Sequence, residues 1–270
     1  MKILIICASY SPRSSSPAFR TTNIAKALEK NNEVFVLTYS ETFQLRLDRR
    51  DEQLVQNEIQ SEHIHRIGQV ISKSNKKNQL LKEFLYKYGV ANFMLPDPHI
   101  KNFYKFYKKA KEIIKNEKIA TVVTYSFPYS FHVIGYYLKK KMPNIKWVLD
   151  YGDIWYGAPF EEFKKLRFKK KLDFLIEKNI LKKADLVSLT TQPSIDFYRR
   201  TFKFDRFCLT EMGHNPKNGL HKQNFKVKTL KIIHAGRLYY PMRDPIALIE
   251  FLEKTKENIE LILIGALDSY

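Results

Sequence analysis

Cysteine, glycine and acidic residues are all scarce in this chain of 270 residues, and each scarcity closes off a class of protein. With only Cys7 and Cys208 present, neither a disulfide framework nor a cysteine-rich zinc site can be built, and a reducing cytosol suits the chain. The nine glycines form neither the G-x-G-x-x-G dinucleotide fingerprint nor the P-loop G-x-x-x-x-G-K, so hydride transfer and P-loop NTP hydrolysis lose support. No run of about 18 apolar residues occurs, so no membrane-spanning helix is expected. The apolar stretch from Ile3 to Ala8 is also too short, before Ser9, Ser11 and Pro12, for a signal peptide, and reads instead as a buried strand. Asp and Glu number 28 against 47 Lys and Arg, a formal charge of +19, so an anionic partner or surface is expected. What is plentiful is core material: 44% of residues are apolar and 14% aromatic, ample for one large domain or two modest ones.

Apolar, β-branched runs recur at residues 3–7, 34–38, 120–124, 146–150, 186–190, 231–235 and 260–264, with helical patterns between them. Strands alternating with helices predict an α/β fold, a doubly wound parallel sheet covered on both faces. In the first unit a Ser/Pro loop from Ser9 to Pro17 leads into a helix whose Ile24, Ala25, Ala27 and Leu28 share one face. Residues 41–118 read as a long, less regular insertion ending in a helix from about His99 to Asn116. That helix carries Lys101, Lys105, Lys108, Lys109, Lys111 and Lys115 with Phe103, Tyr104, Phe106 and Tyr107. It reads either as an ordinary amphipathic helix with a solvated lysine face or as a contact with an anionic membrane surface. A second basic block runs from Lys164 to Lys171. Residues 1–212 form the first expected domain, residues 213–228 a linker without apolar period, and residues 229–270 the start of a second. In that second part a helix over about residues 245–256 is expected to turn Ile246, Leu248, Ile249 and Leu252 to a core. One βαβ unit of about 40 residues is short of a domain, so the second domain is expected to be incomplete.

Three places carry candidate chemistry. Asp150 and Asp153 end a predicted interior strand, where two close carboxylates can bind hydroxyls or supply a base; the alternative is a strand-end turn with a helix cap. Trp155 beside them offers an aromatic face to a sugar ring, and Tyr129 and His132 open the preceding helix, although a lone helical His is commonly structural. His214 and His234 show no metal-ligand spacing, and no metal site is expected. In the second part, Gly236 and Arg237 close a strand and Arg243 opens the next helix, a weak anion-site pattern in which backbone amides and a guanidinium meet at a helix N-terminus.

In order and jointly, these segments resemble the retaining glycosyltransferases of family 4, which have the GT-B architecture of two facing Rossmann-like domains. The resemblance rests on the opening strand with its Ser/Pro loop and Arg20, and on Leu95, Pro96 and Asp97 before a helix. It continues through residues 126–132, residues 150–155 and residues 183–190 to His234, Ala235, Gly236 and Arg237, and ends at Leu263, Ile264 and Gly265. It implies transfer of a sugar from a nucleotide sugar to a lipid-linked or glycan acceptor, without a metal and with retention at the anomeric carbon. Asp150 and Asp153 would be catalytic, and Ser14, Ser15, Arg20, Tyr129, His132 and Trp155 would meet the acceptor. Gly236, Arg237 and Arg243 would bind the donor diphosphate. Serines 14 to 16 stand where the family's first loop has glycines, and Gly152 stands where a subset has Arg. The family's E-x(7)-E segment has no counterpart through residue 270, so a protein supplying the missing donor half is an expected partner.

The resulting expectation is a transferase of bacterial surface-polysaccharide biosynthesis, cytoplasmic and peripheral at the inner face of the plasma membrane. The alternative is a non-catalytic acceptor, membrane or partner-binding module, or a truncated gene product. Nucleic acid is an unlikely partner, because basic residues are scattered over several helices and no nucleic-acid motif is present.

Overall fold

Burial on both faces explains why the strands read as continuous apolar runs: from Ile3 to Ala8 every side chain is buried, and the same holds from Val34 to Tyr39. The computed structural model describes residues 1–45, 49–68, 94–158, 167–213, 229–236, 238, 243–255 and 257–265. Compact units comprise Met1–Gly213 and His214–Tyr270. The expected linker lies, beyond Gly213, outside the described residues.

In the first unit seven strands pair in parallel: β1 (Lys2–Ile6), β2 (Glu33–Tyr39), β3 (Ile64–Ile67), β4 (Thr121–Ser126), β5 (Lys146–Tyr151), β6 (Leu186–Leu189) and β7 (Phe207–Leu209). Their order is β3-β2-β1-β4-β5-β6-β7, a Rossmann-like sheet. The helices of more than two turns are α1 (Ser16–Glu29), α2 (Phe103–Asn116), α3 (Ser130–Lys141), α4 (Arg167–Lys183) and α5 (Gln192–Phe202), with single-turn helices at Glu41–Gln44 and Glu52–Gln56. Alternation along the strands divides the core. Leu4, Ile6, Phe35, Leu37, Trp147 and Leu149 pack with Phe106, Phe131, Ile180 and Tyr198 of α2 to α5. Ile3, Ile5, Cys7, Val34 and Val36 pack with Ala25 of α1 and with Tyr125.

Local chemistry sets the helix starts. Ser15 caps α1, accepting from the Ala18 amide, and Pro17 occupies the first turn; Thr191 and Pro193 play the same parts in α5. The helix expected from His99 begins instead as a 3-10 turn, Pro98–Asn102, capped by Asp97, and becomes α-helical at Phe103. The region expected to be an irregular insertion contains β3, and β7 was not expected either. Both are edge strands of three or four residues, and the sequence Ile64-His65-Arg66-Ile67 has no apolar run to announce it.

In the second unit β8 (Leu230–Ala235) and β9 (Ile259–Ile264) pair in parallel around α6 (Ile246–Lys254). Of the expected core face of α6, Leu252 is half-buried while Ile246, Leu248 and Ile249 are exposed, as are Ile233 of β8 and Ile264 of β9. Two strands and one helix are too narrow to bury them.

Candidate functional site

In a parallel sheet all strands end on one side, and the loops leaving those ends collect the polar residues of this unit. The floor of the collection is an ion pair. Arg20, on α1, donates from Nε to Asp150 Oδ2 at 3.1 Å and from Nη2 to Asp150 Oδ1 at 2.7 Å, and Ser188 Oγ donates to the same Oδ1 at 2.7 Å. Both charged side chains are sealed, 2% and 6% exposed. Arg20 Nη1 also donates to the Thr210 carbonyl at 2.9 Å and the Glu211 carbonyl at 3.4 Å. A guanidinium presenting a planar fork to a carboxylate is the strongest form of such a contact. Asp150 is therefore an anchor, held from both oxygens, and Arg20 faces it rather than the solvent.

Asp153 lies two residues past the end of β5, in an exposed position on the loop that β5 feeds. Of the two carboxylates, it is the one that a ligand can reach. The serine loop approaches from β1: Ser14 is exposed and its amide donates to the Arg49 carbonyl at 2.8 Å, while the Ser15 hydroxyl is occupied in capping α1.

Besides Arg20, three further sequence-predicted acceptor residues are corrected. Trp155 and Tyr129 are each 1% exposed and stack face to face, ring centroids 4.9 Å apart, so neither ring can carry a sugar. Tyr129 Oη donates to the Ile154 carbonyl at 2.8 Å, tying down the loop instead. His132 is fully buried, with Nδ1 at 2.8 Å from Thr124 Oγ1 and the ring against Tyr151; burial pushes its pKa down to about 3, so it stays neutral.

Sequence reasoning passed over two residues at the same strand ends. Phe127, directly after β4, is 43% exposed and is the accessible aromatic beside the Asp153 loop, whose Gly152 amide donates to the Ser126 carbonyl at 3.0 Å. Tyr125 pairs in register with Asp150, so both project from one sheet face. A Cβ on Gly152 would collide with the Tyr125 hydroxyl, so the loop backbone passes directly over that phenol. Burial, and next the charge of Asp150, raises the Tyr125 pKa and keeps the phenol protonated. The signal available in sequence was position alone: both residues flank the end of a predicted strand.

In the second unit Gly236 and Gly265 end β8 and β9 with φ of 154° and 153°, a conformation that L side chains rarely adopt. A Cβ on Gly265 would collide with the Gly236 carbonyl oxygen, so the two strand ends meet backbone to backbone. A Cβ on Gly236 would stand 3.5 Å from Arg243 Nη1, which brings these two predicted donor residues together. Arg237 lies outside the described residues. Among the described residues no cluster of three or more His, Cys, Asp or Glu could hold a metal ion, and no helix is long and apolar enough to cross a membrane.

No protein-family model and no curated protein matches the sequence. Solved structures do match in fold. The N-terminal domain of Candida albicans trehalose-6-phosphate phosphatase has a TM-score of 0.60 at 12% identity, over 99% of this chain and 65% of that one. An E. coli trehalose-6-phosphate structure bound with UDP-2-fluoro glucose gives 0.59 at 12%, over 99% and 65%. A glycosyltransferase from Rickettsia africae gives 0.56 at 16%, over 98% and 60%. The chain thus spans less than two thirds of the length of these structures. The shared feature is the fold, an α/β architecture with a Rossmann-like parallel sheet.

Proposed function

We propose that the chain is a retaining, family-4-like glycosyltransferase that moves a sugar from a nucleotide sugar to a lipid-linked or glycan acceptor in bacterial surface-polysaccharide assembly. The observation that carries this reading is that an exposed carboxylate, Asp153, and an exposed aromatic, Phe127, follow the ends of two adjacent strands of a Rossmann-like sheet, whose loops are joined by the Gly152 amide on the Ser126 carbonyl. Phe127 would stack on an acceptor sugar, and Asp153 would orient its hydroxyl and take its proton. The fold neighbour from E. coli is bound with UDP-2-fluoro glucose, and by analogy the second unit would receive a donor diphosphate at Gly236, Arg237 and Arg243. A guanidinium there would stabilise the charge of the departing diphosphate without a metal.

The layer of α2, α3 and α4 on one sheet face supports peripheral binding at the inner face of the plasma membrane. Lys105, Lys108, Lys115, Lys140, Lys141, Lys171 and Lys182 are exposed there, with Tyr104 and Phe168. Lys169, within the expected second basic block, is instead buried, and residues 164–166 lie outside the described residues.

The test is donor binding and transfer with a panel of nucleotide sugars and lipid-diphosphate acceptors on liposomes, for the purified chain and its Asp153→Ala variant. Transfer by the parent when the donor half is supplied in trans, lost in the variant while nucleotide binding persists, is the expected outcome. A folded chain with neither nucleotide binding nor transfer would overturn it. That result would favour a non-catalytic module, a reading supported by the exposed Leu230, Ile233, Phe251 and Ile264 of the second unit, which suit association with a partner.

A further inference from the structure

On the far side of the sheet from Arg20, α4 buries three charged residues at helical spacing, Lys169, Asp173 and Glu177. Glu177 is wholly buried, in a layer otherwise built from Trp155, Tyr129, Tyr151 and Tyr198. Such a carboxylate is costly to desolvate, so its bonds identify what it does there. Glu177 Oε1 accepts from Tyr198 Oη at 2.5 Å, and Oε2 accepts from the Tyr156 amide at 2.9 Å. Tyr198 Oη in turn accepts from the Trp155 amide at 2.9 Å, and Tyr129 Oη donates to the Ile154 carbonyl. Three successive residues immediately after Asp153 are therefore fixed by side chains from α4, from α5 and from the turn before α3. An apolar residue at 177 would fill the space equally well but would leave the Tyr156 amide without this acceptor.

We propose that Glu177 and Tyr198 are positioning residues, a buried clamp that holds the backbone after Asp153 and so fixes that carboxylate for the acceptor. The inference rests on the role given to Asp153 above. The titratable groups facing Glu177 are Tyr198 of α5, Tyr151 of β5, Asp173 of its own helix, and Tyr129 before α3. Burial raises the Glu177 pKa to about 7, so the clamp also responds to pH near neutrality.

Amide hydrogen exchange on the whole chain tests this without any need for turnover. Exchange at Tyr156 in Glu177→Leu, and at Trp155 in Tyr198→Phe, should quicken about tenfold, the worth of roughly one hydrogen bond, while Val148 and Leu149 of β5 stay protected. The exchange step near pH 7 in the parent should vanish in Glu177→Gln. Asp153→Ala should leave all of these amides unchanged. Where transfer is measurable, both clamp variants should lower kcat with the donor KM unaltered. Unchanged exchange at Trp155 and Tyr156, or quickening spread equally through β5, would overturn the clamp. If the parent shows neither nucleotide binding nor transfer, the functional reading fails, and the exchange pattern still decides whether the clamp exists.

Discussion

Tyr129 and Trp155 lie face to face with ring planes 10° apart, an aromatic pair closed into the core beneath the loop that carries Asp153. Their removal should therefore be felt as lost stability, and that of Phe127 as lost recognition. Trp155→Ala should cost about 3–5 kcal/mol in urea unfolding. Phe127→Ala should leave the midpoint nearly unmoved and weaken acceptor binding by about 1 kcal/mol, read by calorimetric titration of the acceptor glycan. A stable Trp155→Ala protein that had lost only binding would reverse the assignment.

The Arg20 and Asp150 pair should behave as a buried ion pair does when one member is taken away. Arg20→Ala and Asp150→Ala should each destabilise the chain by about 3–5 kcal/mol, because the remaining charge is left buried and unpaired. Arg20→Lys should recover little, since an ammonium cannot reach both carboxylate oxygens and the Thr210 carbonyl together. Denaturation midpoints of the three variants, compared with the double replacement by Met and Leu, give the check; the double variant should be the mildest.

Two buried groups should give the stability curve opposite slopes. Glu177, with its folded pKa raised from 4.5 to about 7, holds a proton that the unfolded chain has already lost over that range. Its contribution is complete below pH 4.5 and is lost as pH rises through 7, about 3 kcal/mol in all. His132, lowered from 6.5 to about 3, refuses a proton that the unfolded chain accepts. Its contribution is complete above pH 6.5 and is lost as pH falls towards 3, about 5 kcal/mol. Unfolding free energies measured across pH should lose the neutral-range decline in Glu177→Gln and part of the acid decline in His132→Gln.

The lysine face of α2 should carry whatever affinity the first unit has for anionic lipid. Charge reversal at Lys105 and Lys108, both exposed, should weaken sedimentation with phosphatidylglycerol vesicles, each Lys near the surface being worth about 1 kcal/mol. Raised salt should release the parent protein similarly, while neutral vesicles should retain neither form. Equal binding of the reversed variant would remove this face from consideration.

The strands that lie inside the sheet were legible in the sequence because burial on both faces writes itself as an unbroken apolar run, as from Val34 to Leu37. The edges were not, because β3 has one neighbour and a polar interior, and a three-residue β7 is too short to show any period. At the candidate site, the sequence pointed to strand ends but not to which side chains turn outward. Residue type suggested that Trp155 would meet a sugar, whereas three-dimensional packing sends it inward and leaves Phe127 outside. Nor could spacing reveal that Asp150 and Arg20, 130 positions apart, satisfy one another. Glu177 was invisible for the opposite reason: within a lysine-rich helix it reads as an ordinary surface acid.

Arg20 is also the point at which the chain's departure from the first unit is moored, since the carbonyls of Thr210 and Glu211 sit on the same guanidinium that holds Asp150. Mechanical load applied at Gly213 would reach the strand-end floor through this guanidinium and, beside it, through the Thr210 amide on the Leu189 carbonyl. For heritable variation this makes position 20 a shared dependency. A substitution there disturbs the first helix, the fifth strand and the exit segment at once, so these three places must change in concert or hardly at all.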